Sequence, residues 1–148
     1  MKLKNKIKIL ESTVIPVLTY GAQSWAATKK QISKIQKTQN AMLRSILRTR
    51  FKDKVKLIDI FAKTGAKKVG VIAKKLKYNF AGHMVRGFDS KWSKTLTTWV
   101  LHTGYRTRGR PVTRWEDEIK LRIGQAWKQK AKDRSSWRGL VGTNAQER

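Results

Sequence analysis

The chain has 148 residues, 39% of them hydrophobic and six of them tryptophan, so a real core can form and a fully disordered chain is excluded. Its 35 Lys and Arg stand against nine Asp and Glu, a formal net charge of +26 that internal pairing cannot neutralise, and an external polyanion is implied. The absence of cysteine excludes a disulfide scaffold, a Cys-based zinc site and a thiol nucleophile, while two histidines make a poor metal set.

No apolar run approaches the roughly 20 residues of a membrane span. Met1 to Leu10 alternates Lys with Leu and Ile and lacks the apolar run of a secretory signal. The expectation is a nuclear or cytoplasmic chain, neither secreted nor transmembrane.

In chain order, Asn5 to Leu18 places Ile7, Leu10, Val14, Val17 and Leu18 at helical spacing, with Pro16 expected to kink or shorten the helix. Gly21 allows a turn between Tyr20 and Trp25. Thr28 and Gln31 form a capping box, so a helix is predicted from Lys29 to Arg48. Ile32, Ile35, Met42, Leu43, Ile46 and Leu47 make its apolar stripe, and Lys30, Lys34, Lys37, Arg44 and Arg48 fall close to the opposite side, where there is no acid. A connector, Thr49 to Gly65, offers Asp53 as a cap and Val55, Leu57, Ile58, Ile60 and Phe61 as a short helix ending at Gly65.

A second long helix is predicted from about Lys67 to Arg86, with Val69, Ile72, Leu76, Phe80 and Met84 inward and Lys74, Lys75 and Tyr78 outward. Tyr78 between lysines can either stack on a base or sugar or pack at the helix border. Asp89 to Val100 reads as a helix and His102 to Val112 as a loop. Trp115 to Ile123 reads as a helix led by Glu116, Asp117 and Glu118, which favour its dipole. A last helix is predicted from Gln125 to about Val141, with a frayed tail over 142–148.

The chemistry these residues can support is narrow. Nucleotidyl transfer needs carboxylates converging on metal ions, and three consecutive acids on a helix splay apart instead. No Tyr-x-Asp-Asp strand motif, P-loop or nucleophile elbow occurs. His83, seven residues after Leu76, is placed on the apolar face as a packed histidine, and His102 has no acid near it in sequence. Neither a catalytic residue, a metal site nor a cofactor is assigned. Arg106, Arg108, Arg110 and Arg114 surround Gly109 and Pro111, and Arg108-Gly109-Arg110-Pro111 resembles the core of an AT-hook. Minor-groove reading, non-specific phosphate contact and a purely structural loop all remain open for this cluster.

The order of motifs adds a resemblance. Tyr20-Gly21 through Trp25, then Ile35-Gln36-Lys37 leading into Met42-Leu43-Arg44-Ser45-Ile46-Leu47-Arg48, resembles the thumb region of LINE-type (non-LTR) retrotransposon reverse transcriptases. Lys75-Leu76-Lys77-Tyr78 with Ala81-Gly82-His83-Met84 and Arg86, then Arg108 to Pro111 before Arg114-Trp115-Glu116-Asp117-Glu118-Ile119, resembles the segments that follow the thumb. Trp127, Ala131, Asp133-Arg134 and Trp137-Arg138 complete the pattern, which covers about residues 7–141. The resemblance implies an RNA-directed DNA polymerase parent, of the endonuclease-reverse transcriptase kind, whose thumb grips template and primer. This sequence lacks the fingers, palm, metal-binding aspartates and endonuclease of that family, so the fragment is expected to be no enzyme by itself and to act, if at all in polymerisation, with a palm supplied by another chain.

Together these readings give an all-α protein of two small helical clusters joined by basic loops, a thumb-like region over 1–50 and a basic extension over 51–141. The expected partner is RNA, DNA or an RNA-DNA hybrid, bound by backbone contact through Lys30, Lys34, Lys37, Arg44, Arg48, Lys74, Lys75, Tyr78, Arg106, Arg108, Arg110 and Arg114. A stand-alone basic RNA- or DNA-binding protein is the alternative. A cationic membrane-active protein, motivated by the Lys-rich start, is the less favoured third.

Overall fold

The computed structural model describes residues 1–87, 92, 95 and 114–145. Among the described residues the chain is all-α and contains no strand. The helices are α1 (Leu3–Ile9), α2 (Ile15–Leu18), α3 (Lys29–Leu47), α4 (Leu57–Thr64), α5 (Val69–Arg86), α6 (Asp117–Ile123), α7 (Trp127–Lys132) and α8 (Arg134–Asn144). They form two compact units, one of Met1–Ala22 with Thr28–Lys74, the other of Gln23–Ala27 with Lys75–Arg148. The division falls within α5 rather than near residue 50, because Leu43 of α3 and Ile60 of α4 share one core with Ile7, Leu10, Ile15 and Ala66.

In the first unit, α1 and α2 are joined by a π-helical turn, Leu10–Val14, in which the Ile15 N–H donates to the Leu10 carbonyl five residues back. Pro16 lacks an N–H and its ring crowds the carbonyl four residues earlier, so a wider turn lets the chain stay helical where a regular α-helix would break. The extra residue rotates everything beyond it. Ile7, Leu10 and Ile15 are buried, whereas Val14 and Val17, expected inward from regular helical spacing, are 37% and 77% exposed.

The capping box of α3 forms as the sequence indicates. The Gln31 N–H donates to Thr28 Oγ1 at 3.3 Å and the Thr28 N–H to Gln31 Oε1 at 2.8 Å. Its apolar stripe packs around Leu43, with Met42, Ile46 and Leu47 half-buried against the same core. The gap in that stripe is filled by Gln39, which is 1% exposed. Gln39 Nε2 donates to the Lys67 carbonyl at 2.7 Å, and Oε1 accepts the Val69 N–H at 2.8 Å and the Gln36 amide at 2.8 Å. A side chain of α3 therefore satisfies the first amide of α5. Asp53, expected as a cap, instead accepts the Arg50 N–H at 2.6 Å within the 3-10 turn Phe51–Asp53, and α4 starts at Lys56 without a side-chain cap. Gly65 ends α4 at φ 65°, where its N–H donates to the Phe61 carbonyl at 2.8 Å.

The second unit is built around Tyr78, Ala81, Ile119, Ile123, Trp127, Ala131, Trp137 and Val141. Trp137 is its keystone: the indole Nε1 donates to the Tyr78 carbonyl at 2.9 Å, and a Cβ on Gly82 would lie 2.3 Å from that nitrogen. Trp115 packs edge-on against Phe80 at 6.2 Å and donates from Nε1 to the Gln23 carbonyl at 2.7 Å, which draws the short segment 23–27 into this unit. The last helix expected from Gln125 is two helices, because Asp133 leaves helical geometry and accepts the Ser135 and Ser136 N–H groups at 3.0 and 3.2 Å, starting α8 anew. The end is firmer than expected, with α8 continuing to Asn144 and Ala145 3% exposed. Residues 146–148 lie outside the described residues, as does most of the helix expected over Asp89 to Val100.

The face of α5 also differs from the expected one. Tyr78 is fully buried and Lys77 is 4% exposed, while Leu76 is 37% exposed and His83 lies at the surface. Trp137 and Trp115 pack on the side carrying residues 77, 78, 81 and 82, so Tyr78 is a core residue and His83 is not.

Three stability measurements follow from this packing. Gly82→Ala gains about 1 kcal/mol of helix propensity but drives a methyl group into Trp137, and the expected net loss by chemical denaturation is about 1–2 kcal/mol. Gln39→Leu leaves the Val69 N–H and Lys67 carbonyl without their partner and is expected to cost about 2–4 kcal/mol. The Tyr78 phenol is pushed up to about 12, by burial first and by the Glu118 charge second. The fold holds the neutral phenol, so this group costs no stability through ionisation below the ordinary value of 10.0 and lowers stability as pH rises from there toward 12. Because the buried hydroxyl has no hydrogen-bond partner, Tyr78→Phe is expected to be neutral or stabilising at pH 7 and to flatten the alkaline fall in melting temperature.

Candidate nucleic-acid interface

The carboxylates of this chain are largely occupied by the fold. Glu11 accepts the Lys67 N–H, Asp53 the Arg50 N–H, Asp117 the Arg114 N–H, and Asp133 those of Ser135 and Ser136. Hydrogen bonds from Ser135 and Ser136 hold the Asp133 carboxyl below its ordinary value. Glu116 is paired with Lys120 at 2.7 Å and lies 3.8 Å from Lys128, while Glu118 is paired with Lys77 at 3.1 Å. Three adjacent acids thus face three different partners. Among the described residues no group of three or more His, Asp or Glu comes together as a metal-holding cluster.

That arrangement leaves the cations of α3 to solvent. Lys30, Lys34, Lys37 and Arg48 are all exposed, follow one another at spacings of three, four or a few turns of helix, and fall on one side of it. Between them stand Ala41 and Ser45, also exposed and too small to block approach. None of the four forms an ion pair among the described residues, and α3 itself contains no acid. The stripe from Lys30 to Arg48 is about 27 Å long at a 1.5 Å rise per residue, over which one strand of a B-form duplex presents about eight phosphates.

Arg44, assigned to the same surface from sequence, has another task. It is half-buried, and its guanidinium donates to the Val55 carbonyl at 3.0 Å, tying the connector back onto α3. Its second terminal nitrogen is buried with no hydrogen-bond partner. On α5, Lys75 is exposed and Lys74 half-buried, whereas the burial of Tyr78 removes it from any stacking role. Arg114 is exposed at the start of the second unit's helices, and Arg106, Arg108 and Arg110 lie outside the described residues.

Sequence reading passed over two sets of basic residues. Lys77 is buried, paired with Glu118 and placed over the Trp115 ring at 5.6 Å from its centroid. Its signal was the acid-rich start of α6, which gives a buried ammonium a counter-ion. The other set is Arg50, Lys52, Lys54 and Lys56, all exposed, whose alternation with Thr49, Phe51 and Val55 was masked by reading the segment as a connector.

Comparison with known proteins gives one curated relative. The chain is 27% identical over 155 aligned positions to a Caenorhabditis elegans protein described as transposon-derived, and the match takes in 95% of this chain and 55% of the relative. The chain thus spans about half the length of the relative it matches. No family model matches, and no solved structure matches. On these comparisons the chain is similar, nearly end to end, to part of a longer transposon-derived protein.

Proposed function

We propose that this chain is a transposon-derived nucleic-acid-binding element, the C-terminal, thumb-like part of a LINE-type retrotransposon reverse transcriptase. It holds RNA, DNA or an RNA-DNA hybrid by backbone contact and relies on another chain for any catalytic palm. The observation that carries this reading is the exposed stripe of Lys30, Lys34, Lys37 and Arg48 along one side of a well-capped helix, with no ion-pair partner among the described residues. A solvated helix face ordinarily mixes both signs. This one presents a single sign over its whole length, which suits a polyanion and suits little else.

The similarity to a transposon-derived protein supports the origin. The ordered motifs support the finer assignment, and the structure shows what those motifs do in this chain. Gly82, Trp115, Ile119, Trp127, Ala131 and Trp137 belong to one core or its immediate border. They report a shared way of folding, while the surface cations of α3 supply the chemistry of binding. Lysine and arginine stems over phosphates recognise charge and spacing and read little sequence.

Fluorescence anisotropy with a labelled mixed-sequence RNA-DNA hybrid tests the reading. Affinity is expected to fall by about 100-fold or more between 50 and 200 mM salt, as counterion release requires for several phosphate contacts. Lys30, Lys34 and Lys37 changed together to Gln are expected to lower the salt slope by about 2–3 and to leave the thermal melt within a few degrees of wild type. Binding that is indifferent to salt contradicts the proposal.

A further inference from the structure

The connector between α3 and α4 carries a second charged surface. From Arg48 to Lys56 every second residue is basic: Arg48, Arg50, Lys52, Lys54 and Lys56. With Asp53 as the one acid, the nine-residue segment holds five positive charges against one negative. All five cations are exposed, while Thr49 and Val55 turn partly inward and Val55 packs against the first unit's core. Asp53 offsets one of the five charges; its carboxylate accepts the Arg50 backbone N–H at 2.6 Å and forms no ion pair among the described residues.

The segment is held in shape. Arg44 Nη2 donates to the Val55 carbonyl at 3.0 Å, the Thr49 N–H donates to the Arg44 carbonyl at 3.0 Å, and the Asp53 N–H to the Arg50 carbonyl at 3.1 Å. Two of the cations also sit where a side chain is conformationally unfavourable: Arg48 has φ 56° and Lys54 has φ 50°. Glycine is the residue that adopts this left-handed geometry without steric penalty, and it is the usual choice just past a helix end. Among the described residues the other positive-φ positions are Gly21, Gly65 and Gly124, yet a cation stands at each of these two. Strain kept at two charged positions of one anchored segment marks a surface where charge matters more than local stability.

We infer that residues 48–56 form a preorganised phosphate-contact loop, a second nucleic-acid-binding surface that continues the α3 stripe through Arg48. This rests on the reading of the chain as a nucleic-acid-binding protein and adds Arg50, Lys52, Lys54 and Lys56 to its contact residues. The partner is the phosphodiester backbone, engaged by cations alone and so without base preference. Arg44 acts as a positioning residue, fixing the loop against α3 by its bond to Val55.

The test compares three variants with wild type, by anisotropy on the same mixed-sequence hybrid as a function of salt and by thermal melting. In the first, Arg50, Lys52 and Lys56 are changed together to Gln. The second is a charge-matched control in which the exposed Lys132, Arg134 and Arg138 are changed to Gln. The third is Lys54→Gly. The loop variant is expected to bind at least 10-fold more weakly at 100 mM salt, with a salt slope lower by about 2–3, and the control to change affinity less than 2-fold. Lys54→Gly, which relieves the backbone, is expected to melt higher while binding about 3-fold more weakly. Equal losses in the loop variant and the control overturn the inference in favour of bulk charge. An unchanged loop variant, with wild type still binding in a salt-dependent way, overturns the inference and leaves the proposed function standing. Absence of salt-dependent binding by wild type overturns both.

Discussion

The shortage of acid governs this molecule. Nine carboxylates face 35 cations, and most of those that the structure describes are occupied before any surface charge is considered. Four of them accept backbone N–H groups, at Lys67, Arg50, Arg114 and Ser135 with Ser136. Two more hold lysines at the second unit's core, Glu118 with Lys77 and Glu116 with Lys120. Burying an unpaired ammonium is prohibitively costly, so a chain this short of acids can bury a lysine only where one of these carboxylates stands. Most other described cations lie at the surface, and those drawn inward, such as Arg44, are held by a backbone carbonyl.

The two units differ in the chemistry of their cores. The first unit has an aliphatic core, with Leu43 and Ile60 at its centre, and a polar seam in which Gln39 and Gln36 satisfy the start of α5. The second has an aromatic core, in which Trp137 lies against Gly82 and Trp115 closes over Phe80 and Lys77. Of the motif residues named in the sequence, Ala81, Trp115, Ile119, Trp127, Ala131 and Trp137 lie in or against this second core, whereas Met42, Leu43, Ile46 and Leu47 lie in or against the first.

Much of the first unit was legible in the sequence because its signals are local. Thr28 with Gln31 announced the start of α3, its apolar spacing gave the buried side, and Gly65 marked the end of α4. What stayed hidden depends on events outside each segment. Regular spacing put Val14 inward, but the turn that accommodates Pro16 adds a residue and hands that place to Ile15. Gln39 reads as polar until Lys67 and Val69 are brought beside it. On α5, Tyr78 reads as outward and His83 as inward, because nothing within that helix reveals that two tryptophans will cover the other side. The candidate interface was half legible: Lys30, Lys34, Lys37 and Arg48 lie where the spacing put them, whereas Arg44 is tied down and Tyr78 buried.

Lysine reactivity toward an acylating reagent, read residue by residue by mass spectrometry with and without a mixed-sequence RNA-DNA hybrid, tests the central claim most directly. Nucleic acid is expected to protect Lys30, Lys34 and Lys37, whose ammonium groups form no ion pair among the described residues. Lys77 should be unreactive in both states, since Glu118 and Trp115 already cover it. Protection spread evenly over all surface lysines, or absent from α3 while nucleic acid is bound, would contradict it.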